Sequence, residues 1–424
     1  MISFELTSEQ KDLQLKFRLL ARERLRPDSL LLDKNPPGPI DKNLLLFIAE
    51  EKLNSFLIPE EYGGHLLDRV TLSLVMEELG YGCAGLASIY GATAHAVSVL
   101  MIGGAPEQKG AFLPLLLDPA GEVASYVITE EKGGSDTTSF DTTARLEGDH
   151  YVLNGSKGPI INAGNAALTI VWASSDKAKG RAGIDAFIVP RDTPGMSFGP
   201  FDDKPGLRCA PTARLFFNDA AVPASNLIGL PGSGYLLIMQ TLDIGRAMVG
   251  AACVGIARAA LEEATDFAKD RVIKNRPIFD NQGIGFMLAE LATELDAARL
   301  LVWRACRLMD LNEDYTTQSS MANLFASEVA ARTTNECIQI LGQRGVIHPS
   351  FMSKYQRDAQ ILRVVEGTSQ IQKMIIASQL FFESYWVKFP EACFVKIVKI
   401  RCAIPRSLSV LRSSLLRRMD RNEV

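Results

Sequence analysis

The chain opens on an amphipathic run. LTSEQKDLQLKFRLLARERL sets apolar residues at helical spacing behind Thr7 or Ser8, either of which can cap a helix. PEEYGG, residues 59–64, is a turn closed by glycine. VTLSLVMEELGYG and the stretch 87–102 are apolar almost all round, the pattern of buried helices, and EQKGAFLPLLL closes this region. The texture changes near residue 124. ASYVITE, HYVLNGSK, LTIVWASS, IDAFIVPRD, MSFGPFD and ARLFFND are short and rich in β-branched and aromatic residues. Gly, Asp, Asn and Pro separate them, which predicts a compact antiparallel β unit. After GLPGSGY the helical period returns. Residues 236–272, 283–311 and 318–341 read as long helices, and the small residues of AMVGAACVGIARAALEEA suit close helix–helix packing. Helices, then strands, then helices make an α+β multidomain chain. The boundaries fall as an N-terminal all-α domain (1–123), a central antiparallel β domain (124–232), a C-terminal helical bundle (233–380) and an extension (381–424).

Bulk composition narrows the function. The 424 residues are 47% hydrophobic and 22% charged, ordinary for a globular protein, and the net charge of −4 argues against nucleic acid as the main partner. Seven scattered cysteines form no CxxC pair, so neither a disulfide framework nor a zinc site is indicated. The four histidines lack metal-ligand spacing, so no metal is expected. No signal or transit pattern is read at the start, and no apolar run is read as long enough to cross a bilayer; the expected setting is a reducing cytoplasm. The tail differs from the rest. Residues 385–424 hold nine Lys/Arg against three acids, a pattern open to membrane-surface or partner contact, or to a poorly ordered extension.

The chemistry centres on RVVEGTSQIQ, residues 363–372, where Glu366 is an acid among apolar and neutral residues and is followed at once by Gly367. Such a residue is either a solvated turn carboxylate or a base held in an apolar pocket. The one GxGxxG spacing, residues 80–85, follows a helical run and not a strand, so it is no dinucleotide fingerprint; Walker and GxSxG patterns are missing, which removes P-loop and serine-hydrolase chemistry. Other segments follow one another in a telling order: PEEYGG, YVITEEKGGSD (126–136), LNGSKGPIINAG (153–164), KPGLRCAPT (204–212), RVIKNRPIFDNQ (271–282), QILGQRG (339–345) and YQRDAQI (355–361). With VVEGTSQIQ, and in a helix–strand–helix layout, they resemble the acyl-CoA dehydrogenase family over residues 1 to about 380.

The resemblance implies an N-terminal helical domain, a central β domain and a C-terminal four-helix bundle. It implies FAD bound without a Rossmann domain, a homotetramer whose interfaces complete the flavin site, and an electron-transfer flavoprotein as partner. Glu366 matches the family's catalytic base, which abstracts the α-proton of an acyl-CoA thioester while a hydride leaves the β-carbon for flavin N5. Burial is expected to raise the pKa of such a base, and hydrogen bonds to the thioester oxygen stabilise the enolate. Some relatives take the base from an earlier helix; the matching position here is Gly245. On the cofactor side the resemblance assigns Tyr126, Ile128, Thr129, Ser135, Pro159, Ile161, Arg271, Gln282, Gln339, Gly342, Gln343, Thr368 and Gln370. On the substrate side it assigns Tyr90, Gly91, Ser135, Asp243, Arg246 and Gly367.

The sequence also departs from the family pattern. Pro159 stands where an aromatic usually shields the flavin, and Ile161 where a threonine hydroxyl usually bonds N5. An isoleucine side chain cannot donate a hydrogen bond. Lys274, Asn275, Asn281 and Gln343 make the adenosine end more polar. His95, on an apolar stretch, reads either as a satisfied core histidine or as part of the acyl end. Beside the dehydrogenase reading stand two alternatives: the same site run as an enoyl-CoA reductase, and a flavin-poor non-catalytic paralogue or subunit.

Overall fold

The computed structural model describes residues 5–385; the basic tail, from residue 386 on, lies outside the described residues. The first helix, Ser8–Leu20, starts at a reciprocal cap. The Thr7 side chain accepts from Gln10 N, and the Gln10 side chain accepts from Thr7 N, so two donors of the first turn are satisfied together. PEEYGG forms a short 3-10 turn that ends at Gly63 with φ of 87°. Two apolar helices follow, Arg69–Gly82 and Ala84–Gly103.

The central unit is one eight-stranded sheet. Its strands are β1 (Ala124–Val127), β2 (Thr143–Glu147), β3 (His150–Ile161), β4 (Leu168–Ser174), β5 (Ile184–Pro190), β6 (Met196–Phe201), β7 (Thr212–Pro223) and β8 (Leu227–Ile228). The path runs β6-β7-β3-β2-β4-β5-β8, and β1 pairs with β4. The sheet is mixed rather than purely antiparallel, because β1 lies parallel to β4 from Ala124↔Leu168 to Val127↔Val171. A parallel pair needs a long crossover, and the β2–β3 hairpin supplies it.

The C-terminal unit is helical: Gly234–Asp270, Gln282–Asp310, Thr316–Leu341, Phe351–Leu362 and Ser369–Tyr385. The Ala84–Gly103 and Gly234–Asp270 helices are in fact long and apolar enough to span a bilayer, which corrects the expectation that no such run exists. Their apolar windows are 72% and 83% buried inside the fold, so both are core helices covered by protein.

The Gly234–Asp270 helix is the spine of the molecule. At Gly255 an added Cβ would lie 2.0 Å from the Glu77 carbonyl oxygen, and at Gly80 one would lie 2.3 Å from the Ala252 carbonyl oxygen. Backbone meets backbone there, so the helices cannot give way. Four charges flank this contact. Arg258 reaches Glu78 at 2.9 Å and Glu77 at 3.1 Å, and both Arg299 Nε and Nη2 bond Glu77 at 3.0 Å. Both acids and Arg258 are buried, so the ions are stable only as a set; removing one member of such a group costs about 3–5 kcal/mol.

The tight contact yields a stability prediction. Gly255→Ala forces a methyl into occupied backbone space and is expected to cost about 1–3 kcal/mol or more. A thermal unfolding midpoint lower by several degrees is the expected result; an unchanged midpoint would show that the two helices can separate freely.

Candidate active site

Glu366 sits in the turn between the Phe351–Leu362 and Ser369–Tyr385 helices. Its φ is +58° and that of Gly367 is +93°, so two consecutive residues are left-handed. A non-glycine residue pays conformational energy for this geometry and keeps it only when neighbours over-determine it. Here Gln372 does so. Its fully buried side-chain amide donates to the carbonyl oxygens of Glu366 and Gly367, each at 2.9 Å. Ser369 Oγ and Arg363 both donate to Glu328 on the Thr316–Leu341 helix, at 2.7 and 3.1 Å, and tie the turn down. Thr368 Oγ1 accepts from Ile371 N at 3.3 Å, the capping contact of the next helix.

All three units contribute to the space around the carboxylate. His95, from the Ala84–Gly103 helix, brings Nε2 to 3.1 Å from Glu366 Oε2. The two atoms are in ion-pair range yet neither is aligned into a hydrogen bond. The other ring nitrogen, Nδ1, lies 3.0 Å from the Gly91 carbonyl oxygen. Tyr126 of β1 packs its ring 5.0 Å from the imidazole and 4.6 Å from Trp172, and shares a 3.0 Å hydrogen bond with Thr241. From the spine helix come Arg246, buried and paired with Asp243, and Gly245. A Cβ at Gly245 would fall 1.7 Å from His95 Nε2, so the imidazole occupies the room that the missing side chain leaves. Thr316 Oγ1 donates to Asp243 at 2.8 Å and fixes the far side of that ion pair.

Electrostatics corrects one expectation. Burial pushes the Glu366 carboxyl up, as anticipated for a base in an apolar site. The His95 imidazole, with Arg246 behind it, outweighs burial and holds the group below the usual carboxylate range. His95 shows the converse: burial lowers its pKa, but the charge of Glu366 dominates and the net direction is up. Burial raises Asp243 despite Arg246.

The β-domain face of the site is clamped from below. Lys157, fully buried, donates to the Ile128 carbonyl oxygen at 3.1 Å and pairs with Glu130 at 2.9 Å. Burial brings its ammonium down to about 8 against the pull of Glu130. Gly158 N donates to Thr129 O at 2.8 Å, and Ser125 Oγ to Ile161 O at 3.0 Å. Asn162, with φ of 65°, donates to the carbonyl oxygens of Ile89 at 3.0 Å and Ala124 at 2.9 Å. These bonds tie Pro159 and Ile161 to β1 and to the helix that carries His95. The Gly158–Pro159 peptide is cis.

The sequence-chosen residues divide into three groups. Glu366, Gly367, Tyr126, Asp243, Arg246 and Gly91 gather at the junction, where a Cβ added to Gly91 meets nothing within 4 Å. Ile128, Thr129, Pro159 and Ile161 form the neighbouring β-domain edge, and exposed Ser135 lies on the loop beyond it. Tyr90 belongs to neither group. It is fully buried and its hydroxyl donates to Leu53 O at 2.9 Å, so it faces the helical core and not the space around Glu366. Helical geometry explains why: Gly91 and His95, four residues apart, share a face that Tyr90 does not. Arg271, Gln282, Gln339, Gly342, Gln343 and Gln370 are exposed. Arg271 is 25 positions beyond Arg246 and ends the same helix, roughly 37 Å away at 1.5 Å per residue.

The donor set suits a flavin. Thr129 and Ser135 offer hydroxyls beside Gly133 and Gly134, and a Cβ at Gly133 or Gly342, both with positive φ, would meet nothing within 4 Å. Ile161 offers backbone only. Sequence reading passed over Gln372 and Thr241 and did not separate the two roles of His95. The signal for Gln372 was its place six residues after the acid; nothing local marked the other two.

Comparison with known proteins agrees with this arrangement. Models of the acyl-CoA dehydrogenase N-terminal, middle and C-terminal domains match residues 7–119, 125–220 and 232–381. The chain is 37% identical over 383 residues to the short-chain specific acyl-CoA dehydrogenase, mitochondrial, of Rattus norvegicus, covering 89% of this chain and 91% of that one. Its fold is similar to butyryl-CoA dehydrogenase from Megasphaera elsdenii, with a TM-score of 0.86, 34% identity, and 90% and 100% of the two chains covered. It is also similar to an acyl-CoA dehydrogenase complexed with FAD from Bacillus anthracis, with a TM-score of 0.84, 29% identity, and 95% and 71% covered.

The turn around Glu366 can be tested directly. Gln372→Leu keeps the volume but strips two partly buried carbonyls of their donor, at a cost of up to about 1–3 kcal/mol for each group left unsatisfied. A lower unfolding midpoint is expected; equal stability would show that Gln372 does not hold the turn.

Proposed function

The chain belongs to the acyl-CoA dehydrogenase family, FAD-dependent oxidoreductases of acyl-CoA thioesters, and from that premise we propose that Glu366 takes the α-proton of a short acyl-CoA. The observation that carries this reading is the carboxylate itself. It projects from a doubly left-handed turn into the junction of three domains, with its side chain one-fifth exposed and Oε2 unbonded. A carboxylate with an open lone pair in a sheltered site is equipped to accept a proton. When FAD is bound it supplies the two-electron acceptor for the β-hydride. Thr129, Ser135 and the Pro159–Ile161 backbone would hold its ring side.

The chain's own groups share out the remaining work. Arg246 keeps a fixed positive charge beside the base. Tyr126 and Trp172 give the apolar wall that excludes water as the acyl chain enters. The name of the rat relative and that of the butyryl-CoA enzyme favour a short acyl chain as substrate. An electron-transfer flavoprotein is the proposed acceptor of the electrons.

We further propose a homo-oligomer, a tetramer, in which Arg271, Gln282, Gln339, Gly342 and Gln343 serve a neighbouring subunit's cofactor. Arg271 ends a helix roughly 37 Å beyond Arg246, too far to serve the same site. Val272, Ile273, Phe279 and Phe286 are each about half exposed around it, an apolar surface that association would cover.

Two expected outcomes follow. Glu366→Gln should lower turnover of butyryl-CoA by about 10³-fold or more while ligand binding stays near the parent value. Flavin bleaching by butyryl-CoA without oxygen reads both; unchanged turnover would sink the assignment, and a protein that stays colourless with added FAD would favour the flavin-poor reading. Ile273→Glu with Phe279→Glu should lower the mass by light scattering and weaken FAD retention together. A native mass in that variant would mean that this apolar surface is not at an interface.

A further inference from the structure

The pairing of His95 with Glu366 has a consequence for the state of the base. Nδ1 of His95 faces the carbonyl oxygen of Gly91 at 3.0 Å. A carbonyl only accepts, so Nδ1 carries a hydrogen. Nε2 is then the variable atom. If it is bare and Glu366 is ionised, two lone pairs oppose each other at 3.1 Å in a buried space. One proton on the pair removes that conflict, whether it is carried by the imidazole or by the carboxyl.

The surroundings favour the shared proton. Arg246 is the other cation facing the pair, and Asp243 already neutralises it. Tyr126 packs against the ring from β1, with its hydroxyl engaged by Thr241. Gly245 presents no side chain. No further charged group from these elements faces the pair among the described residues, so neither member has another ionic partner close by.

We propose that His95 is a positioning residue for Glu366: the resting His95–Glu366 pair carries one proton, and turnover proceeds from the form that has released it to solvent. The proposal rests on the reading of Glu366 as the base. The atom balance supports it. In the productive form Glu366 is a carboxylate and His95 is neutral, with Nε2 bare. The α C–H bond breaks, an O–H bond forms on Glu366, and the electron pair stays on the α-carbon as enolate. If the resting proton stayed, the same step would leave an imidazolium against a neutral carboxyl in a buried site, with the opposing charge gone. Acyl-CoA binding, which draws Glu366 toward the α-carbon and separates the pair, therefore expels the proton. His95 thus acts through Glu366 and does not itself touch the reacting carbon.

Calorimetric titration of the FAD-loaded enzyme with S-butyl-CoA, which has no thioester carbonyl to activate, counts protons exchanged on binding. The titration is run near pH 7 in two buffers of different ionisation heat, with free CoA as control for the ligand's own phosphates. The parent is expected to release a substantial fraction of one proton beyond the CoA control, and His95→Gln none. In parallel, the acid limb of kcat/KM with butyryl-CoA should lie above the ordinary histidine value of about 6.5 in the parent. The sign follows from a dyad proton held more tightly than in free histidine: activity rises as pH rises through the point of release. His95→Gln, which keeps a hydrogen-bonding amide but cannot titrate, should move the limb down toward the carboxylate range. Equal proton counts, or equal limbs, in parent and variant overturn the proposal. If His95→Gln fails to fold, the parent alone decides, because no proton release across pH 6–8 is equally fatal. A dead Glu366→Gln enzyme alongside an indistinguishable His95→Gln enzyme would remove the proposal and leave the base assignment standing. An active Glu366→Gln enzyme would remove both.

Discussion

The structure depends on how closely one helix can approach its neighbours. The Gly234–Asp270 helix lies against the N-terminal helices at backbone contact, where a methyl at Gly255 would sit 2.0 Å from a carbonyl oxygen. Ten residues earlier, Gly245 meets the His95 imidazole in the same way. Between them Gly250 faces Val302 and Ala322 of the other bundle helices. A larger side chain at Gly250 would spread the bundle itself, and one at Gly245 or Gly255 would push the N-terminal and C-terminal units apart. The site at their junction would open with them, because His95, Tyr126, Arg246 and Glu366 come from four different elements.

Buried charge is handled in two ways. Away from the site each buried ion has an opposite charge in contact: Arg258 and Arg299 with Glu77 and Glu78, Lys157 with Glu130, and Lys354 with Asp358 at 2.5 Å. Each set is locked by hydrogen bonds and contributes to orientation more than to net stability. At the site the match is left incomplete. His95 and Glu366 attract, yet Nε2 and Oε2 lack an aligned hydrogen bond and Arg246 Nε has none. Unspent hydrogen-bonding capacity is costly in a folded protein. Around the strained turn it falls on His95, Arg246, Glu366 and Gln372, where an entering ligand can use it.

Much of this was readable along the chain. Periodicity located the helical and strand regions because burial on one face, or all round, imposes a repeat that survives in sequence. The lone acid before glycine marked the left-handed turn at the domain junction, since Gly367 takes a φ of +93° that other residues resist. The parallel pairing of β1 with β4 was not readable, because alternation within a strand carries no information about its neighbour's direction. Nor was the inward turn of Tyr90, which depends on one step of helical phase.

The sequence by itself determined the element order and the family, and it singled out Glu366 as the candidate base. Each is encoded locally, in the spacing and chemistry of contiguous residues. Tertiary structure alone decided the environment of that base. The opposing pulls of burial and His95 on Glu366, the grip of Gln372 on its turn, and the fit of an imidazole into the space left by Gly245 join residues far apart in sequence. Coulombic interaction and steric exclusion act through distance in space, and that distance is set only when the three domains close on one another.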